Sequence, residues 1–184
     1  IEVMQIGGQH YRTIWPDDGG VRVIDQTLLP FRFETVVLNT CADAAQAIRA
    51  MVVRGAPLIG ATAAWGVALA MRADGSDAAL AHAVSELGAT RPTAVNLHWA
   101  LARMDRKLRS LAPSARADAA AEEAALICDE DVECCRAIGQ HGLPLIREVA
   151  QRKGRVNILT HCNAGWLATV DFGTALAPVY AAHD

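Results

Sequence analysis

Three short stretches place chemistry-bearing side chains beside backbone that is free to meet a ligand. The first is Val156-Asn157-Ile158-Leu159-Thr160-His161-Cys162-Asn163-Ala164-Gly165. Its apolar opening, Val156 to Leu159, predicts a short strand, and helix-forming residues resume near Trp166. Ligands bind at the carboxyl ends of strands in open α/β sheets, where amides and helix amino termini converge. Positive potential at such a point lowers the pKa of a thiol and makes a reactive thiolate accessible. Cys162 is therefore the candidate reactive group; the alternative is a small apolar residue filling a turn.

The second stretch, Arg54-Gly55-Ala56-Pro57, lies between two helical patterns. Proline suits the first helical position, so Pro57 is expected to open a helix at N1. Gly55 and Ala56 then leave the amino-terminal amides uncovered, an anion site to which Arg54 would add charge-assisted hydrogen bonds. The plainer reading is an interhelix turn with a solvated arginine. Arg91-Pro92-Thr93 repeats the arrangement ahead of Asn96, His98 and Trp99. Two such helix starts favour a shared anion, although Arg91 taken singly reads as a surface residue.

Other features carry less. Asp171-Phe172-Gly173 spells a kinase tripeptide without the glycine-rich or catalytic-loop motifs that would give it meaning. His161 adjoins Cys162, but neighbours on a strand point to opposite faces. Asp129-Glu130-Asp131 reads as a solvated helix face, and His141 as a helix-end residue.

The elements that must position these groups follow from composition and periodicity. The chain has 184 residues, 52% of them hydrophobic, with a net charge of −3. That length buries a proper core. Fifteen of its 17 basic residues are arginine, yet no basic block or basic–aromatic stripe supports nucleic-acid binding. Five cysteines fit no disulfide framework and form no C-x-x-C pair for a metal, so a reduced, cytoplasmic protein without metal is expected. The most apolar run, Leu58 to Met71, is shorter than the ~20 residues a bilayer crossing requires, which predicts a buried helix and no membrane partner.

Tyr11 to Trp15 and Val21 to Ile24 flank Asp17-Asp18-Gly19-Gly20 and predict a hairpin; Thr35 to Leu38 predicts another strand. Thr40 with Asp43 resembles a capping box ahead of an amphipathic helix. Helices are expected over Leu58 to Met71, over Asp77 to Leu87, and along the face Leu97, Leu101, Met104 and Leu108, with Arg103, Arg106, Lys107 and Arg109 mostly solvated. A long helix begins near Ala115, and Gly139, Gly142 and Pro144 should kink or interrupt it. The fold class is thus α/β: residues 1–153 as a small antiparallel sheet plus helices, and 154–184 as the first strand–helix unit of a Rossmann-like parallel sheet. One such unit cannot bury both faces of its strand, so the chain is expected to be an amino-terminal fragment completed by a second chain or segment.

Three motifs stand in order: Arg54-Gly55-Ala56-Pro57-Leu58-Ile59-Gly60, Arg91-Pro92-Thr93-Ala94-Val95-Asn96-Leu97 and Thr160-His161-Cys162-Asn163-Ala164-Gly165. With Ile24-Asp25-Gln26-Thr27-Leu28-Leu29-Pro30 and Gly173-Thr174-Ala175-Leu176, the set resembles the first half of the methylthioribose-1-phosphate isomerase family. That family shares its fold superfamily with the regulatory subunits of translation initiation factor 2B. The resemblance implies an aldose–ketose isomerase of methionine salvage, homodimeric and without a cofactor. Its substrate would be S-methyl-5-thioribose 1-phosphate and its product the corresponding ribulose 1-phosphate. It implies further that Arg54, Gly55, Ala56 and Arg91 bind substrate, chiefly its phosphate, and that Cys162 is the active-site thiol. The family's partner aspartate has no match here, since neither Asp171 nor Asp184 sits in its motif context. Two other readings stay open: an isomerase of ribose 1,5-bisphosphate or 5-deoxyribose 1-phosphate, and a non-catalytic regulatory subunit.

Overall fold

The computed structural model describes residues 4–183; Asp184 lies outside them. A small hairpin pairs β1 (Gln5–Ile6) with β2 (Gln9–His10). The antiparallel sheet that follows runs in the order β3 (Ile14–Asp17), β4 (Gly20–Ile24), β5 (Thr35–Leu38). Asp17 pairs with Gly20 across a two-residue turn, and Gly19 supplies its φ of 78°. The predicted hairpin forms with its first strand displaced: Tyr11 to Thr13 lie outside it, and Asp17 and Gly20, expected in the connection, pair within the ladder. Val21 and Val23 of β4 alternate into the core, while Arg22 between them bonds Asp17 and Thr35.

The helix α1 (Cys41–Arg49) opens with the expected capping box. The Thr40 hydroxyl accepts from the Asp43 N–H, and the Asp43 carboxylate accepts from the Thr40 N–H. Such a cap contributes about 1 kcal/mol. The hub is α2 (Ala56–Ala73), buried almost all round and packed by α1, α3 (Asp77–Gly88), α4 (Val95–Arg109) and α5 (Arg116–Lys153). Small residues set those spacings: a methyl on Gly60 would press on the Asn96 backbone, and one on Gly66 on Leu87 and Ala44. Leu97, Leu101, Met104 and Leu108 are all buried, as their periodicity predicts. By length and composition α2 would suffice to cross a bilayer, but 72% of that window is buried within the fold.

Four expectations are corrected. First, α5 runs unbroken for 38 residues with Pro144 inside it. The glycines expected to interrupt it are instead where α6 (Ala177–His183) docks: Gly139 faces Ala177 and Gly142 faces Pro178. Packing of that face outweighs the one hydrogen bond that an exposed proline removes. Second, residues 155–161 carry no regular structure, so the strand Val156 to Leu159 does not form. A parallel strand needs neighbours to take its amides and carbonyls. Among the described residues none stands beside it, and Leu159 is 97% exposed. Third, the helix expected at Trp166 is a single 3-10 turn, Trp166–Ala168. Fourth, Arg103 is not a solvated residue: it bonds Glu123 and Glu130 from α5 and lies over the Trp99 ring.

The segment after Gly154 returns to this body. Val170 and Phe172 enter the main hydrophobic core, and α6 lies along α5.

Candidate active site

Arg54-Gly55-Ala56-Pro57 forms the start of α2. Gly55 is the N-cap at φ 106° and ψ 139°, helix residues begin at Ala56, and no side chain caps the end. Pro57 thus sits at the second helical position rather than the first. The amides of Ala56 and Leu58 are left without a side-chain partner at the positive end of an 18-residue helix. Arg54 is exposed beside them. An anion placed there would meet oriented N–H groups and a guanidinium together.

Arg91 arrives differently from expectation. Its carbonyl accepts from the Ala94 N–H at 3.0 Å, so Pro92 lies in a turn and α4 starts only at Val95. Proline at the second position of a turn is as natural as at a helix start. The half-buried side chain of Arg91 reaches α1, with Nε and Nη2 each 3.4 Å from the Ile48 carbonyl oxygen. It thereby holds the end of the helix whose following residues lead into Arg54.

Cys162 is exposed and in the left-handed region, φ 72°. It stands at the mouth of a tightly fastened loop. The Ala164 carbonyl accepts from the Thr174 N–H at 3.1 Å, which closes the loop's base. Inside it, the Thr169 hydroxyl accepts from the Gly173 N–H at 3.0 Å. Just before β3, the Thr13 hydroxyl donates to the Thr169 carbonyl at 2.5 Å, and the Thr13 N–H donates to the Val170 carbonyl at 3.0 Å. The Gln26 amide donates to the Leu167 carbonyl at 2.6 Å. From α5, the Asp131 carboxylate accepts the Val170 N–H at 2.8 Å. The tip is secured by His10 Nε2, 2.8 Å from Asp171, and by the Arg136 guanidinium over the Phe172 ring.

This loop seats directly on the anion turn. A methyl on Gly55 would overlap the Cα, Cβ and carbonyl oxygen of Ala168. The structure therefore seats the loop that follows Cys162 on Gly55 of the Arg54–Pro57 turn, through Ala168, while Arg91 bonds α1 alone.

Electrostatics around the loop are set by burial. Desolvation raises the Asp131 carboxyl above its ordinary range, against the Val170 N–H that lowers it; the nearby Asp171 charge raises it further. Desolvation likewise raises Asp171, opposed by His10, the Phe172 N–H and Arg12. The run Asp129-Glu130-Asp131 is thus no plain solvated face. Asp129 pairs with Arg12, Glu130 with Arg103, and Asp131 turns inward to the loop. The reason is helical spacing, which sends successive residues in three directions.

A cavity of about 440 Å³ opens beside the anion turn, between the starts of α2 and α4 and the middle of α5. Pro57, Gly60, Asn96, Trp99, Ile127 and Asp131 are among its walls, and Arg54, Arg91 and Cys162 are not. No group of His, Cys, Asp and Glu suited to hold a metal occurs among the described residues. Thr13, Gln26, His10 and Asp131 were not singled out from the sequence as site residues. Only Gln26 carried a signal, its place in the Ile24–Pro30 motif.

Comparison with known proteins bears on what this arrangement does. Residues 52–184 match the model of the initiation factor 2 subunit family. A methylthioribose-1-phosphate isomerase from Acidiphilium cryptum is 65% identical over 98% of this chain and 50% of its own length. Its namesake from Methylobacterium nodulans is 62% identical over 98% of this chain and 50% of its own. Among solved structures, 5-methylthioribose 1-phosphate isomerase from Pyrococcus horikoshii superposes with a TM-score of 0.82 at 37% identity, over 94% of this chain and 49% of that one. Subunit delta of translation initiation factor eIF-2B from A. fulgidus gives 0.79 at 38% identity, over 94% and 51%. The chain spans about half the length of the relatives it matches.

Proposed function

The chain belongs to the initiation factor 2 subunit family, and on that footing we propose that it forms the amino-terminal half of an aldose–ketose isomerase. The substrate is S-methyl-5-thioribose 1-phosphate and the product the corresponding ribulose 1-phosphate. The strong likeness to proteins bearing that name, through nearly every residue of this chain, carries the reading. The seating of Ala168 on Gly55 supports it, since the loop that follows Cys162 packs on the anion turn.

The reaction moves hydrogen from C2 to C1 and turns the C2 hydroxyl into a carbonyl, with phosphate retained on O1. Because that phosphate blocks simple opening to an aldehyde, the ring must open with the ester in place. Arg54 and the amides at the start of α2 hold the phosphate, and Arg91 steadies the segment that carries Arg54. Cys162 faces the reacting carbons as the thiol of an acid–base pair whose carboxylate lies in the other half. Fixed dipoles at the helix start stabilise charge there most strongly once water is excluded. A homodimer in a reducing, cytoplasmic compartment belongs to the same proposal; the five unpaired thiols support the compartment.

The likeness to an initiation factor subunit favours a second reading, a regulatory protein that binds a sugar phosphate without turnover. One assay separates them. The full-length protein is offered methylthioribose 1-phosphate and, in parallel, ribose 1,5-bisphosphate; turnover of the first in preference to the second is expected. No turnover of either leaves the regulatory reading, and preference for the bisphosphate reassigns the substrate. In the same protein, Arg54→Ala is expected to weaken phosphate-ester binding about tenfold to a hundredfold, the loss of a charge-assisted hydrogen bond. Equal affinity, read by calorimetry, would remove Arg54 from the site.

A further inference from the structure

Gln26 belongs to a motif that neither the phosphate turn nor the thiol accounts for. It follows β4 and is 4% exposed, an uncommon state for a glutamine. Its backbone N–H donates to the Val52 carbonyl at 3.0 Å, two residues before Arg54. Its side-chain Nε2 donates to the Leu167 carbonyl at 2.6 Å, in the 3-10 turn beside Ala168. One residue thus bonds both the segment entering the anion turn and the loop that follows Cys162. The other loop fastenings, from Thr13, Asp131, His10 and Arg136, each hold the loop to the residue before β3, the first hairpin or α5. None of those four residues bonds the segment before Arg54.

We propose that Gln26 is a positioning residue that fixes the Cys162 loop in register with the Arg54–Pro57 turn, so that thiol and bound phosphate ester keep one spacing. This rests on the isomerase reading for its catalytic consequence, though not for its geometry. The side chain is costly for a merely structural role. Its Oε1 is buried without a partner, and an orphaned acceptor lowers stability. A similarly shaped apolar residue would remove that orphan and leave the Leu167 carbonyl unpaired in its place. The amide is explained by the one bond it donates.

The geometry gives separable expectations. In Gln26→Met the orphaned Oε1 disappears while the Leu167 carbonyl loses its donor, so one unpaired acceptor replaces another and the melting temperature should stay close to that of the parent. The loop loses its tie to the anion turn, so kcat should fall about tenfold to a hundredfold, the scale of a small misplacement of reacting groups. KM should change less than threefold, because the phosphate contacts belong to α2 itself. Gln26→Glu adds a signature that a packing role would not produce. Protonated, its carboxyl group can donate to the Leu167 carbonyl; ionised, it cannot. Its kcat should therefore be near the parent's at acid pH and fall as the pH rises through the ionisation of the new carboxyl group, an inflection the parent lacks.

The measurements use the full-length protein: kcat and KM on methylthioribose 1-phosphate, the pH profile of kcat, and the alkylation rate of Cys162 by iodoacetamide read on its own peptide. Exposed Cys134 serves as the internal reference. A severalfold change in Cys162 alkylation in Gln26→Met, with Cys134 unchanged, supports the tie even if the parent turns over no substrate, which would overturn only the isomerase reading. Parent-like kcat and parent-like Cys162 alkylation in Gln26→Met would overturn the positioning role. If Gln26→Met does not fold, a flat pH profile in Gln26→Glu overturns it, and in the absence of turnover the pH dependence of Cys162 alkylation in that variant decides in the same way.

Discussion

If the full-length protein is the proposed isomerase, Cys162→Ala is expected to lower its kcat by about a hundredfold to ten-thousandfold, the range a positioned proton-transfer group supplies. Binding of the phosphate ester should survive, because the groups assigned to it sit on the α2 turn and not on the loop. Stability should survive too. Cys162 is exposed, and alanine suffers no more than cysteine from its left-handed φ of 72°. The loop's own closure depends on backbone and on Thr13, Gln26, Thr169 and Asp131, none of which the change touches. Stopped-time product assays beside calorimetry with inorganic phosphate separate the two effects. Turnover equal to the parent's would end the assignment of the thiol, whereas loss of both turnover and phosphate binding would show that Cys162 shapes the anion turn instead.

The parts legible in the sequence are those governed by local rules. The Asp17–Gly20 hairpin, the Thr40–Asp43 cap and the buried face of α4 each follow from turn chemistry, capping or period, and each appears in the structure. The errors arise where tertiary partners outvote local signals. Gly139, Gly142 and Pro144 are helix breakers by propensity, yet two of them make the groove for α6 and the third is exposed on an intact helix. Val156 to Leu159 has strand composition, but strand identity is a property of the sheet, and no neighbour stands beside it among the described residues. Pro92 reads equally as a helix start or a turn corner, and only the Ala94 N–H to Arg91 carbonyl bond decides.

The site shows the same division. Arg54-Gly55-Ala56-Pro57 is legible as a helix start, because glycine and proline mark such ends, although the proline takes the second helical position and not the first. The fastening of the Cys162 loop is silent, because it joins residues more than a hundred positions apart. Thr13 to Thr169, Gln26 to Leu167 and His10 to Asp171 are single side chains with no periodic neighbourhood to betray them. Asp131 is hidden for another reason: it stands in an acidic run whose other two members pair with arginines. Its inward turn follows from its angular position on α5, legible only once α5 and the loop are known to touch.

Gly55→Ala should be the most damaging single substitution in the anion turn. Two effects add. At φ 106° an L-residue is strained by about 1–3 kcal/mol. The new methyl group also falls on the backbone of Ala168, and backbone cannot rotate away as a flexible side chain would. Either the first turn of α2 or the 3-10 turn after Gly165 must shift, and both are expected to move apart. A fall in stability of about 2–4 kcal/mol should accompany a loss of about a hundredfold or more in kcat/KM, since separation of thiol and phosphate by even an ångström is costly. Gly154→Ala isolates the conformational part: its φ is 67°, and nothing lies within 4 Å of the added methyl. That control should cost only about 1–2 kcal/mol and leave kcat/KM at the parent value. If Gly55→Ala behaves like Gly154→Ala in both stability and turnover, the contact between Ala168 and the anion turn has no functional weight. If it behaves as the overlap requires, the two turns act as one rigid unit, and the catalytic spacing is set by a glycine that never needs to touch the substrate with a side chain.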